Sequence, residues 1–198
     1  MKNILTIDFD IIMGPSIDLY NHLVPNTKWH ELKNIPQLNL LSFDSKIYQR
    51  LTLYLLELIK EIKFKNIHFI LDHEKTTFLI SSEENFNIYN IDHHHDCGYH
   101  QYDQNEPLSC ANWIAKIFDI NKINNYTWIT NLNSKDPETD KYKINKEFIH
   151  GYNFSQIPAP DELIICLSPP WVPEEFHPLF FLWQDIVSKY FNQPVIIE

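Results

Sequence analysis

Four short apolar runs in this chain each end in a burst of polar or ionisable residues. Ile4–Ile7 is followed by Asp8-Phe9-Asp10 and Ile67–Leu71 by Asp72-His73-Glu74. Ile88–Ile91 is followed by Asp92-His93-His94-His95-Asp96, and Leu163–Leu167 by Ser168-Pro169-Pro170-Trp171. Each run has the length of a strand and is rich in Ile or Leu without polar alternation, as strands covered on both faces require. A fifth candidate, Tyr126–Thr130, precedes Asn131-Leu132-Asn133-Ser134. Between the first two runs, Ile47, Leu51, Leu55, Leu58 and Ile62 recur at helical spacing from Lys46 to Lys63 and form one apolar stripe. Asp44 or Ser45 is the expected N-cap. Ala111–Phe118 and the aromatic-heavy Phe176–Phe191 are two further expected helices. Strands alternating with helices predict an α/β domain with a mainly parallel sheet, spanning residues 1–198 as one unit. Residues 14–43, with Pro15, Pro25 and Pro36, read as loop with short helical turns. Residues 131–160 read as a long polar surface excursion.

In a parallel sheet the functional crevice lies outside the carboxyl ends of the strands. Three of the runs deliver Asp8, Asp10, His73, Asp92, His94 and Asp96 to such ends. The Asp92–Asp96 cluster is hard to explain by stability. Adjacent imidazoles between carboxylates repel when protonated and are costly to bury unpaired, whereas a divalent cation satisfies both residue types at once. The plain alternative is a polar loop that happens to be His-rich. Alternation along an extended segment puts Asp92, His94 and Asp96 on one side and His93 and His95 on the other. Four carboxylates and two imidazoles exceed the four ligands of a typical zinc site. They suit two manganese-like ions roughly 3.5–4 Å apart.

The net charge of −10 argues against a nucleic-acid surface, which needs clustered Lys and Arg. No apolar run reaches the roughly 20 residues of a membrane span, and the N-terminus lacks a signal-peptide pattern. Three cysteines, Cys97, Cys110 and Cys166, cannot all pair, and no CxxC occurs, so the expected compartment is the reducing cytoplasm. Cys97 reads as a free thiol beside the cluster or, alternatively, as a soft ligand. Nothing in the sequence fixes the oligomeric state.

Asp92-x-His94-x-Asp96, Asp8-x-Asp10 after an apolar strand, and Asp72-His73 at a third strand end resemble the ligand set of the arginase–agmatinase superfamily. Within it, the resemblance is nearest to the arginase-like group that contains the peptide arginases. Here the Asp-x-Asp strand lies at the N-terminus, whereas in ordinary arginases it follows the other two motifs. Ile11-Ile12-Met13 follows the motif where arginases carry Asp-Pro, and Ile70-Leu71 stand where glycines precede the Asp-His. The resemblance implies an arginase-like three-layer sandwich and two bound ions, manganese by preference. It implies that His73, Asp92, Asp96 and Asp8 hold one ion and that His94, Asp92, Asp8 and Asp10 hold the other, with Asp92 and Asp8 bridging. It further implies hydrolysis of a guanidinium, in arginine or in an arginine-containing peptide, to ornithine and urea through a hydroxide bridging the ions.

Such a reaction needs a proton donor for the leaving amine, for which His100 and His95 are the candidates. It also needs a carboxylate to orient the cation, for which Glu174 and Glu175 are the candidates. Each is also readable as a surface or supporting residue. Trp171 could stack on a guanidinium or serve as a buried aromatic lid. Ile91-Asp92-His93-His94 equally matches the DHH phosphoesterases, another two-manganese group, in which His93 rather than His73 and Asp96 would matter. That group usually has a histidine before Asp-x-Asp and a glycine-rich second domain; this chain has Thr6-Ile7 and three glycines. A metal-dependent deacetylase would need a catalytic tyrosine, and Tyr99 is too near the cluster for that role. A non-catalytic, metal-stabilised module binding a peptide on the aromatics around Trp113, Trp128 and Trp171 is the non-enzyme alternative.

Overall fold

The computed structural model describes residues 2–13, 43–61, 64–80, 85–99, 102–120, 122–132, 134–137, 140–191 and 195–197. His100, Asn133, Ile62, Lys63 and the expected loop over 14–42 lie outside the described residues. Seven strands form one sheet: β1 (Lys2–Asp8), β2 (Asn66–Ile70), β3 (Phe86–Ile91), β4 (Ile123–Thr130), β5 (Ile144–Phe148), β6 (Glu162–Cys166) and β7 (Val195–Ile197). Their spatial order is β5-β4-β3-β1-β6-β2-β7, and every pairing is parallel. The helices are α1 (Ser45–Glu61), α2 (Thr76–Leu79), α3 (Trp113–Asp119) and α4 (His177–Tyr190).

Strand alternation divides the core between the two faces of the sheet. On one face, Leu5, Ile7, Phe69, Leu163 and Ile165 pack against Leu51 and Leu55 of α1 and Phe180 and Trp183 of α4. On the other, Ile4, Ile88, Tyr126, Trp128 and Ile164 pack against Trp113, Ile114 and Ile117 of α3. Helices thus flank an all-parallel sheet, as in a three-layer α/β/α sandwich. Asp44 is the cap of α1, its Oδ1 accepting the amides of Lys46 (2.9 Å) and Ile47 (3.0 Å). Arg50 of α1 donates to the carbonyls of Ile149 (2.6 Å), His150 (3.0 Å) and Tyr152 (2.7 Å), fastening the helix to the chain beyond β5.

Residues 131–160 are not simply a surface excursion. β5 runs through them as an edge strand, and Ile149, Tyr152, Phe154 and Ile157 are buried behind it. Ile-Asn-Lys-Glu-Phe is too polar to read as an interior strand because only one neighbour and one partly covered face act on it. The three-residue edge strand β7 was likewise not expected. No helix among the described residues is long and apolar enough to cross a membrane.

Register brings the site together. Ile7 pairs with Ile91 across β1 and β3, so Asp8 and Asp92 follow side by side. Asp8 also pairs with Cys166 of β6, which pairs in turn with Ile70 of β2. After β1 the chain crosses towards β2, whereas after β3 it crosses the other way towards β4. The adjacent strands β1 and β3 therefore form a topological switch point, where diverging connections leave a crevice at the carboxyl edge.

Candidate metal centre

Asp8 ends β1 and caps the 3-10 turn Phe9–Ile12, its Oδ1 accepting the Asp10 amide at 3.2 Å. Its Oδ2 accepts the Ser168 hydroxyl at 2.6 Å and lies 3.1 Å from His73 Nδ1. His73 opens the 3-10 turn after β2 and is almost fully buried. Besides Asp8, its Nδ1 lies 3.2 Å from Asp92 Oδ2 and 3.1 Å from Asp96 Oδ2. Despite these distances, neither ring nitrogen of His73 makes a hydrogen bond.

Three carboxylate oxygens thus lie close to one imidazole nitrogen that is hydrogen-bonded to none of them. Octahedral ligands about 2.1 Å from a hard cation lie about 3.0 Å from one another, and tetrahedral ligands about 2.0 Å from zinc lie about 3.3 Å apart. The three distances at His73 fall in that interval, and a buried imidazole without a hydrogen bond would find its partner in the ion. Asp8, His73 and Asp92 fit a divalent cation.

Asp92 turns its other oxygen to a second group. Asp92 Oδ1 accepts the His94 amide at 2.8 Å and lies 4.0 Å from His94 Nδ1, which is 2.9 Å from Asp10 Oδ2. Asp10 Oδ1 also accepts the His93 amide at 3.3 Å. Asp8, His73 and Asp92, and separately Asp10, Asp92 and His94, can each converge on one ion, with Asp92 common to both. Asp8 belongs to the first group only, unlike the bridging role implied by resemblance, and Asp96, although its Oδ2 reaches His73, belongs to neither.

Supporting residues fix the ligands from behind. Asp96 adopts a left-handed backbone (φ 53°) and so leaves the strand-like alternation expected of it. Its carbonyl accepts the Ile114 amide at 3.0 Å, and its Oδ2 accepts the Trp113 indole N–H at 2.5 Å. The Trp113 ring also lies 4.8 Å from that of His73. Asn90 donates to Asp92 Oδ2 at 3.1 Å and accepts the Thr6 hydroxyl. Thr6 and Asn90 are polar residues inside apolar strands, each two positions before a ligand and hence on the same face. That spacing is a signal readable in the sequence. The support from Ser168 and Trp113 comes from distant segments and left no local signal.

Crowding of like charges sets the electrostatics. Burial, followed by repulsion from Asp8 and Asp92, pushes Asp10 up to about 7. Burial, Asp96 and Asp8 push Asp92 up to about 7 as well. Burial opposes protonation of His94, but Asp10, Asp92 and Asp96 together raise it to about 10. Burial would also raise Asp8, yet His73, Ser168 and the Asp10 amide hold it below its ordinary value. A divalent cation would relieve this repulsion by taking the place of the protons.

The remaining candidates stand elsewhere. His95 is fully buried, with ring contacts to Tyr99 (4.4 Å) and Trp128 (5.7 Å). Its Nδ1 accepts the Cys97 amide at 3.0 Å, and burial pushes its pKa down to about 3. Its ring thus packs on Tyr99 and Trp128, and its Nδ1 is engaged by Cys97 rather than by a carboxylate of the cluster. His93 is also buried, its Nδ1 3.4 Å from both Asn131 Nδ2 and Ser134 Oγ. Glu174 and Glu175 are exposed on the 3-10 turn ahead of α4. Among the described residues they take no part in the polar contacts of the cluster, so their expected role in orienting substrate is not seen. Cys97 is a buried free thiol donating to the His95 carbonyl.

Fold and site together define an α/β protein with a buried, carboxylate-rich centre suited to divalent cations. No protein-family model, curated protein or solved structure matches the chain.

Proposed function

We propose that this chain is a dinuclear metal-dependent hydrolase, arginase-like in its ligand set. It would cleave the guanidinium of arginine, or of an arginine residue in a peptide, to ornithine and urea. The observation that carries this reading is the partition of the cluster. His73 lies against Asp8, Asp92 and Asp96, His94 stands with Asp10 and Asp92, and His93 turns its Nδ1 to Asn131 and Ser134 and belongs to neither group. A DHH-type phosphoesterase would place His93 among the ligands and leave His73 and Asp96 out.

Asp8, His73, Asp92 and Asp96 would hold one ion, and Asp10, Asp92 and His94 the other. Manganese suits this mixture of carboxylate and imidazole. Bound ions would lower the pKa of a coordinated water and polarise the group under attack. The protein's own residues do the rest. Asp92 ties the two positions together, and Ser168, Asn90 and Trp113 hold carboxylate oxygens in place. The burial of the carboxylates keeps bulk water from the ligand oxygens. Their negative charge attracts a cationic substrate.

The test is urea release by manganese-loaded protein from free arginine, agmatine and arginine-containing peptides, with a phosphodiester assayed in parallel. Urea production lost in Asp92→Ala is the expected result. Phosphodiester hydrolysis instead would overturn the reading. Two bound ions with no turnover of either class would make the chain a metal-stabilised binding module.

A further inference from the structure

Of the six clustered side chains, His94 alone is appreciably open to solvent, at 18% against 5% or less for the others. One of its ring neighbours is Trp171, half-buried, with its ring 5.1 Å from the imidazole at a 50° tilt. The backbone of Trp171 is tied into a turn. It closes a turn over Ser168-Pro169-Pro170-Trp171 in which the Trp171 amide donates to the Ser168 carbonyl at 2.9 Å and the Val172 amide at 3.1 Å. Ser168 enters the turn with a left-handed backbone (φ 51°) while its hydroxyl holds Asp8. Val172 is fully buried, and its carbonyl is bonded to His177 at 2.9 Å. One turn thus fixes a ligand at one end and presents an indole beside the open ligand at the other.

We infer that Trp171 is a specificity-determining wall of the second metal group, selecting a flat, delocalised cation that lies against its indole as it reaches the edge marked by His94. Two features of the site call for that chemistry. The indole face attracts cations, and a planar guanidinium can also lie flat against it, which a compact, strongly hydrated ammonium cannot. The carboxylates behind His94 reward positive charge and discriminate against a neutral isostere. As an account of substrate choice the inference rests on the hydrolase reading above; as an account of binding it rests on the ring geometry.

The experiment is calorimetric titration of manganese-loaded protein with Nα-acetyl-arginine amide and with its neutral isostere, Nα-acetyl-citrulline amide. Wild type is expected to prefer the arginine compound. Trp171→Leu should cut that preference about 2- to 30-fold, the span of a cation–π contact, while Trp171→Phe, which keeps an aromatic face, should retain most of it. Manganese affinity should be the same in all three proteins, because Trp171 is not a ligand. Trp171→Met serves if the leucine variant does not fold. Equal binding of the two compounds by wild type, or an unchanged preference in the leucine or methionine variant, overturns the inference. Urea release with an unchanged preference would leave the hydrolase reading standing without this one. A Trp171-dependent preference without urea release would do the reverse.

Discussion

Asp92 and His73 meet with Oδ2 3.2 Å from Nδ1, while the other oxygen of Asp92 accepts the His94 amide at 2.8 Å. One carboxylate thus faces both candidate ion positions. Asp92→Asn should therefore abolish tight binding of both ions, whereas His94→Asn should remove one and leave the His73 group loaded. Elemental analysis after gel filtration gives the stoichiometry directly. Equal loss in the two variants would contradict a shared ligand.

Trp113 contributes an N–H to Asp96 and a ring face to His73. Trp113→Phe keeps the ring and deletes the donor. Outer hydrogen bonds to metal ligands are typically worth about 10- to 100-fold in affinity. Manganese binding at the His73 group should weaken by that factor, with the other group little changed, in a calorimetric titration. Because the indole of Trp113 touches two ligands, manganese should also quench tryptophan fluorescence less in the variant than in wild type.

The pH dependence of the metal-free protein has a definite sign. Asp10 and Asp92, raised from 3.8 to about 7, bind protons more tightly folded than unfolded, so their contribution falls as pH rises through that window. His94, raised from 6.5 to about 10, contributes stability fully present below its unfolded value and lost as pH rises through about 10. His73, also raised, acts in the same sense. Asp8, held low, adds stability above its unfolded value and loses it only in acid. Chelated protein should therefore melt at progressively lower temperature between about pH 5 and 9. The stabilisation by manganese should grow over the same range, because the ligands must be deprotonated to bind it. A chelated protein that gains stability with pH would contradict these assignments.

Gly98 adopts φ +83°, and a β-carbon there would fall 2.4 Å from Tyr102 Cβ. Gly98→Ala should cost about 2–4 kcal/mol in urea unfolding, combining left-handed strain with overpacking. It should also weaken manganese binding, since the same turn carries Asp96 to His73. A stable variant with unaltered metal affinity would show that the turn does not position Asp96.

Much of the scaffold was legible in the sequence. The runs at Ile4–Ile7, Ile67–Leu71, Ile88–Ile91, Tyr126–Thr130 and Leu163–Leu167 all lie largely within strands, and the stripe from Ile47 to Leu58 lies within a helix. Buried parallel strands and one-sided helices impose strong local patterns on a chain. β5 and β7 escaped because edge strands need fewer apolar residues, and their partners are set by tertiary pairing. The candidate ligands were legible as residue types at strand ends. Their allocation was less so, since the left-handed turn at Asp96 and the packing of His95 against Trp128 depend on residues far along the chain.

The sequence alone determined which ionisable side chains arrive at the carboxyl edge, because three of the apolar runs of strand length are followed directly by Asp or Asp-His. Only the tertiary structure decided how those side chains share the edge. Parallel register sets Asp8 beside Asp92, the turn at Asp96 returns its carboxylate to His73, and Ser168 arrives from β6 to hold Asp8. The physical reason is that strand pattern is a local property of burial, whereas a centre of ångström-scale oxygen and nitrogen spacings is assembled by contacts between segments as distant as Asp8 and Ser168.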